Sequence, residues 1–180
     1  MKINSNFSDL LRAFGDGGVR YLVVGGYAVM RYTEPRYTKD LELWVDPDPE
    51  NASRVFAALK SFGAPLTELS PISFTDETMI FQIGVPPVRV DILMGVSGLA
   101  FGEAWGNRIE SELGGEIVPI LSLDDLIAAK RAAGRPAVRC RCECVDPDPD
   151  RGRRHSRARQ RLARAVSLHL FSRPAGRGPR

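Results

Sequence analysis

The first 133 residues of this 180-residue chain contain no histidine and no cysteine. The two histidines, His155 and His169, and the three cysteines, Cys140, Cys142 and Cys144, all come later. A Ser-His-Asp or Cys-His arrangement needs an imidazole beside its nucleophile. The sequence therefore argues against hydrolases of those types.

Long hydrophobic runs are also missing. No stretch of about 18 apolar residues exists, so no segment is expected to span a membrane. The N-terminus "MKINSNFSDLLRAFGDGG" lacks the apolar centre and small-residue cleavage site of a signal peptide. Together these features lead us to expect a cytoplasmic protein. Because 43% of the residues are hydrophobic, we also expect a main domain with a core of its own.

From Gly134 to Arg180 there is no lysine, tryptophan or tyrosine, and arginine dominates. Thirteen arginines and four acidic residues give this segment a formal charge of +9, so the net +3 of the chain leaves −6 for residues 1–133. This change in composition predicts a domain at 1–136 and an arginine-rich tail at 137–180, disordered or partly helical.

Three interpretations of the tail stay open. It can be an arm that binds the phosphates of RNA or DNA. It can hold a metal through its cysteines and His155, although C-x-C-x-C is tighter than the spacing of most tetrahedral sites. It can also be translated out of frame, because the switch to Arg, Pro, Gly, Cys and Ala is abrupt, although residues 159–171 could still form a helix.

Hydrophobic periodicity predicts alternating helices and strands along the rest of the chain. Helices are expected at 7–14, 27–32, 46–63 with a cap at Asp48, 101–109 and 122–134. Strands are expected at 19–24, 39–45, 78–84, 88–94 and 115–121. This order predicts an α/β (α+β) fold, in which helices flank a small mixed sheet.

Two adjacent glycines, Gly25 and Gly26, follow directly after the first predicted strand. Glycine lets a ligand approach the backbone closely, and the N–H groups at a helix start carry partial positive charge. The pair can therefore hold an anion such as a triphosphate. A simple tight turn is the alternative.

Three carboxylates are candidates for holding a cation. Asp40 and Glu42 lie two residues apart on a strand, so both project from one face. Asp91 points away from the apolar face of its own strand. If that strand lies beside the strand at 39–45, the three carboxylates converge. Mg²⁺ prefers oxygen ligands, and two ions could then activate an attacking hydroxyl and stabilise a leaving pyrophosphate. The alternative is the solvated face of a half-buried strand.

Lys130 continues the apolar stripe of Leu123, Leu126 and Ile127, so a cation occupies a position that faces the core. It can extend to solvent and favour the dipole at the end of its helix. Alternatively, it can reach the carboxylates or a phosphate.

Taken in order, these motifs resemble the nucleotidyltransferase superfamily typified by DNA polymerase beta. That family has a glycine pair after a strand, then an acidic-x-acidic strand and a third acidic residue on a later strand. The segments "GGYA", "RYTKDLELWV", "VRVDIL" and "KRAAGRP" resemble in particular minimal bacterial nucleotidyltransferases, over residues 19–136. Such relatives include the nucleotidyltransferase-like toxins of abortive-infection systems and the minimal nucleotidyltransferase antitoxins.

The resemblance implies an Mg²⁺-dependent enzyme, with two metal ions, that transfers a nucleotidyl group from an NTP. The residues it implies as metal ligands and catalytic groups are Asp40, Glu42 and Asp91. The residues it implies as nucleotide contacts are Gly25, Gly26, Arg36, Thr38 and Lys130.

Two features depart from the family pattern. Glu42 stands where these relatives usually carry aspartate, and the chain beyond Pro136 lacks their acidic helix.

The predicted function is transfer of an NMP group to a hydroxyl of a protein or RNA, within a toxin-antitoxin system that supplies a toxin or antitoxin partner. The alternatives are an antitoxin-like module that binds nucleotide or a partner without turnover, and a nucleic-acid-binding protein led by its tail.

Overall fold

The structure, a computed structural model, describes residues 3–33, 38, 40–85 and 88–134. Arg36 and the arginine-rich tail lie outside the described residues, and the predictions made for them therefore stay predictions. Within the described part, no helix combines the length and the hydropathy needed to cross a membrane.

The described residues form six strands, which are β1 (Tyr21–Val24), β2 (Asp40–Val45), β3 (Ile80–Val85), β4 (Val88–Leu93), β5 (Ile109–Leu113) and β6 (Glu116–Ile120). They make one sheet in the order β3-β4-β2-β1-β6-β5. Strand β1 pairs antiparallel with β2 and parallel with β6, and β2 pairs parallel with β4. The outer pairs β3–β4 and β5–β6 are antiparallel. The predicted mixed sheet is confirmed.

The helices are α1 (Ser5–Asp16), α2 (Gly25–Tyr32), α3 (Pro49–Phe62), α4 (Phe101–Gly106) and α5 (Leu123–Ala132), with a 3-10 helix at Pro71–Thr75. Helix α1 buries the predicted stripe that begins at Phe7 and ends at Phe14. Helix α3 begins at the predicted cap, where the Asp48 carboxylate accepts hydrogen bonds from the first-turn N–H groups.

The core lies along β1 and β2, the two central strands. All four residues of β1 are buried, which is typical of a strand covered on both faces. On β2, the alternate residues Leu41, Leu43 and Val45 are fully buried. Asp40 and Glu42, which alternate with the first two of these residues, are only half-buried, so the strand offers two acidic groups on one face without exposing its core.

Asn51 joins the start of α3 to the two central strands. It is 2% exposed, and its side chain accepts a hydrogen bond from Arg20 N at 2.8 Å. The same amide donates to Arg20 O at 3.0 Å and to Asp46 O at 2.9 Å. A buried polar side chain is stable here because every contact pairs a donor with an acceptor.

The structure corrects several of the predicted boundaries. Helix α2 begins at Gly25 rather than at residue 27, and α1 continues through Gly15 to Asp16. The helix predicted at 101–109 ends at Gly106, and Ile109 begins β5, a strand that the sequence pattern did not predict. The 3-10 helix was also not predicted.

Candidate active site

The turn between β1 and α2 is the first part of the candidate site. Gly25 has a φ of +62°, a conformation that favours glycine. A Cβ atom at Gly25 would lie 1.3 Å from Glu42 Oε2, so a side chain there would force that carboxylate to move. The backbone conformation favours glycine at this position, and the glycine also lets the Glu42 carboxylate lie against the turn.

Glu42 lies against the N-terminus of α2. Its Oε2 accepts a hydrogen bond from Gly26 N at 3.2 Å. The pairing of β1 with β2 sets Val24 opposite Glu42, which brings the carboxylate to the turn. A negative charge is stabilising at a helix N-terminus, so Glu42 occupies the position that a phosphate would favour.

Thr38 lies against Gly26, the second glycine of the same turn. A Cβ atom at Gly26 would lie 2.6 Å from Thr38 Oγ1, so the second glycine is also needed for close packing. The Thr38 hydroxyl donates to Asp40 O at 3.4 Å. The structure thus brings four of the predicted residues together: Gly25, Gly26, Thr38 and Glu42.

Asp91 reaches the site from β4. The parallel pairing of β2 with β4 sets Glu42 opposite Asp91 and Asp40 opposite Arg89. Since neighbouring strands in a sheet are about 4.8 Å apart, these side chains form a row across adjacent strands. The condition for convergence of the three carboxylates, that their strands be neighbours, is met.

Arg89 lies between two of the carboxylates. Its Nη2 is 2.6 Å from Asp40 Oδ2, and its Nε is 3.0 Å from Asp91 Oδ1. The Nε contact is an ion pair without the alignment of a hydrogen bond, and Nη2 donates weakly to Asp91 Oδ2 at 3.3 Å. One guanidinium therefore bridges β2 and β4.

The environment of Asp91 combines burial with charges of both signs. Its side chain is 13% exposed, and this burial raises the pKa of Asp91 above its ordinary value. Arg89 and the hydrogen bond donated by Gln82 Nε2, at 3.1 Å, oppose the rise in the pKa. The negative charges of Glu42 and Asp40 add to it.

The donor chemistry of the site fits a hard divalent cation. Asp40, Glu42 and Asp91 offer carboxylate oxygens only, and Asp40 Oδ1 is buried without a hydrogen-bond partner. As placed, however, no three His, Cys, Asp or Glu side chains among residues 3–33, 38, 40–85 and 88–134 are grouped to hold a metal. Arg89 and the Gly26 N–H engage oxygens of these carboxylates that a cation would need.

Lys130 lies in the second half of α5. Of the apolar stripe predicted on that helix, only Leu126 is buried, and Lys130 is half-buried rather than a core residue. Its ammonium group has no hydrogen bond or ion pair to any residue that the structure describes. The structure therefore does not connect Lys130 to the carboxylates.

Sequence reasoning assigned no role to Arg89 or Gln82. The signal for Arg89 was available, because it shares the strand parity of Asp91 and stands two residues before it. Gln82 could not have been found in this way, because its place opposite Asp91 depends on the β3–β4 register.

Among solved structures, the chain is similar to a protein from Thermotoga maritima whose own assignment as a nucleotidyltransferase is provisional. The identity is 15%, the TM-score is 0.50, and the similarity covers 92% of this chain and 89% of that one. The chain therefore has a nucleotidyltransferase fold.

Two weaker similarities are to an antibiotic-resistance factor and to an antibiotic adenylyltransferase. The antibiotic-resistance factor ANT(2'')-Ia has 17% identity and a TM-score of 0.47, over 68% of this chain and 66% of that one. The lincosamide antibiotic adenylyltransferase LnuA has 15% identity and a TM-score of 0.46, over 69% of this chain and 84% of that one. No protein-family model matches the chain, and a search of curated proteins found no match.

Proposed function

We propose that this chain transfers an NMP group from an NTP to a hydroxyl group of a protein or RNA. The observation that carries the proposal is the strand register. Val24, Glu42 and Asp91 stand side by side on three adjacent strands, and Gly25-Gly26 follows Val24 directly. An anion cradle and a row of carboxylates thus meet at one place, as a nucleoside triphosphate with a divalent cation requires.

The proposed reaction is a single displacement at phosphorus. The acceptor oxygen forms a bond to the α-phosphorus of the NTP, and the bond from that phosphorus to the bridging oxygen of the β-phosphate breaks. Pyrophosphate leaves with the electron pair of the broken bond, and the hydroxyl proton passes to a base. In this scheme Asp91 accepts that proton or orients the hydroxyl that loses it.

The chain's own residues have three tasks in this scheme. The N–H groups of Gly25 and Gly26 hold the triphosphate, with Thr38 beside them. Asp40, Glu42 and Asp91 would hold Mg²⁺, which when bound neutralises phosphate charge and lowers the barrier to displacement. Lys130 and Arg36 remain proposed nucleotide contacts on the resemblance of their motifs alone.

The proposed setting is a toxin-antitoxin system, with a toxin or antitoxin as the partner. This part of the proposal is supported only by the resemblance of the "GGYA", "VRVDIL" and "KRAAGRP" segments to such proteins. The described domain is small and consists of the sheet and its helices, which leaves little room for a separate module that recognises the acceptor. A partner that supplies the acceptor is consistent with this.

A transfer assay tests the reaction. The full chain is incubated with Mg²⁺, each NTP labelled at the α-phosphate, and the protein or RNA fraction of a nucleotide-free cell extract. We expect pyrophosphate release and label on one fraction, and an Asp91→Asn variant should lower transfer by about 100-fold or more. Asp124→Asn, an exposed position on α5, is the matched control and should transfer normally. Label transfer that persists in Asp91→Asn would contradict the role of Asp91.

A module that binds nucleotide or a partner without turnover is the second candidate. The bridge from Arg89 to Asp40 and Asp91 favours it, because that bridge engages two of the proposed metal ligands. NTP binding by the full chain without pyrophosphate release, with either fraction present, would identify this candidate instead.

A further inference from the structure

The guanidinium of Arg89 is shared by two carboxylates. Its Nε and Nη2 face the two oxygens of Asp91, at 3.0 and 3.3 Å. The same Nη2 also donates to Asp40 Oδ2 at 2.6 Å, so one cation holds carboxylates on two strands. The side chains of Arg89 and Asp40 are 30% and 29% exposed, so the guanidinium has access to solvent.

The bridge also leaves bonding capacity unused. Asp40 Oδ1 is buried without a hydrogen-bond partner, and the 3.0 Å ion-pair contact of Arg89 Nε with Asp91 Oδ1 lacks the alignment of a hydrogen bond. Unpaired buried polar atoms destabilise a structure, and a site that retains them is often one that a ligand completes.

The local charge shows why a cation is needed here at all. Asp40, Glu42 and Asp91 contribute three formal negative charges, and Arg89 contributes one positive charge, which leaves −2. Carboxylates on adjacent strands repel one another unless a cation lies between them.

We propose that Arg89 is the resident counter-cation of this site, which holds Asp40 and Asp91 together until a divalent metal ion replaces it. Arg89 has to leave Asp40 before Asp40 and Asp91 can share a metal, because the same oxygens cannot serve both cations. The inference rests on the proposed function, since it assigns a control of metal entry to the same carboxylates. Arg89 is in this sense a positioning residue that sets how tightly the metal is held.

The test measures binding of Mn²⁺ alone, without nucleotide, to the full chain by isothermal titration. Arg89→Gln removes the competing charge, and we expect Mn²⁺ to bind this variant about tenfold more tightly than the wild type, or better. Arg89→Lys keeps a positive charge and should bind Mn²⁺ much as the wild type does. Arg12→Gln breaks an ion pair to Glu116 elsewhere, at 2.9 Å, and should leave Mn²⁺ binding unchanged.

Thermal unfolding provides the second readout. In a chelating buffer, Arg89→Gln should melt below the wild type, because three carboxylates are left without a counter-cation, and Mn²⁺ should raise its melting temperature more than that of the wild type. Equal or weaker Mn²⁺ binding by folded Arg89→Gln would overturn the inference. So would a melting temperature of that variant that Mn²⁺ does not raise.

The outcome for Arg89 can be separated from the outcome for the proposed function. Binding of Mg²⁺ with ATP to the wild type, together with no gain of Mn²⁺ affinity in Arg89→Gln, would overturn the role of Arg89 and leave the nucleotidyl site standing. A gain of Mn²⁺ affinity in Arg89→Gln, with no NTP bound by any variant, would support the role of Arg89 and remove the nucleotidyl site.

Discussion

At the scale of single residues, the contact between the glycine pair and Glu42 determines what the site can bind. Sequence reasoning treated the glycine pair as an anion site and Glu42 as a metal ligand, two separate functions. In the structure the two are in contact, since Glu42 Oε2 accepts from Gly26 N. The carboxylate takes the place proposed for a phosphate, and an aspartate would be one methylene shorter. Nucleotide binding therefore requires Glu42 to turn away from the helix.

Gly25→Ala should damage both stability and binding. A non-glycine residue at φ +62° costs about 1–2 kcal/mol, and the added Cβ would force Glu42 out of its position. We expect urea unfolding to show at least this loss of unfolding free energy, together with loss of NTP binding.

Gly15→Ala is the matched control for that substitution. Gly15 lies inside α1 with no heavy atom within 4 Å of an added Cβ, so alanine there should be neutral or stabilising by up to about 1 kcal/mol. A Gly25→Ala variant as stable as the wild type, with normal NTP binding, would show that the turn does not need glycine.

At the scale of elements, the sheet and helices that flank the site were mostly predictable. The periodicity of hydrophobic residues predicted β2, α1 and α3, because the buried residues alternate along the strand and recur at helical spacing along the helices. Strand β5 was missed because Glu110 and Glu112 make "IESEL" polar, and only Leu113 is buried. An edge strand with one buried residue has too little apolar signal to separate it from a helix end.

Asn51→Ala tests the link between α3 and the central strands. The substitution removes three hydrogen bonds and leaves backbone groups of Arg20 and Asp46 unpaired, so we expect a loss of about 3 kcal/mol of unfolding free energy. Ser53→Ala, at an exposed position of the same helix, should change it by about 0.5 kcal/mol or less. Chemical denaturation measures both, and similar values for the two variants would show that the Asn51 amide does not hold α3 in place.

At the scale of the whole molecule, the site depends on strand order, which the sequence does not show. Strands β1, β2 and β4 are neighbours although β3 comes between β2 and β4 in the chain. The carboxylate pair could be predicted from its spacing, but the position of Asp91 beside it needed the parallel β2–β4 register. The parity of Arg89 with Asp91 could be seen in the sequence, but its contact with Asp40 depends on the same register.

Isothermal titration of ATP, CTP, GTP and UTP into the full chain, with and without Mg²⁺, is the decisive test of the nucleotidyl site. An Asp40→Asn/Glu42→Gln double variant, shown to be folded by its thermal unfolding, serves as the comparison. A nucleotidyl site predicts Mg²⁺-dependent binding of at least one NTP by the wild type, weakened by about tenfold or more in the double variant. If the folded wild type binds none of the four, the row of carboxylates beside the glycine turn is not a nucleotide site.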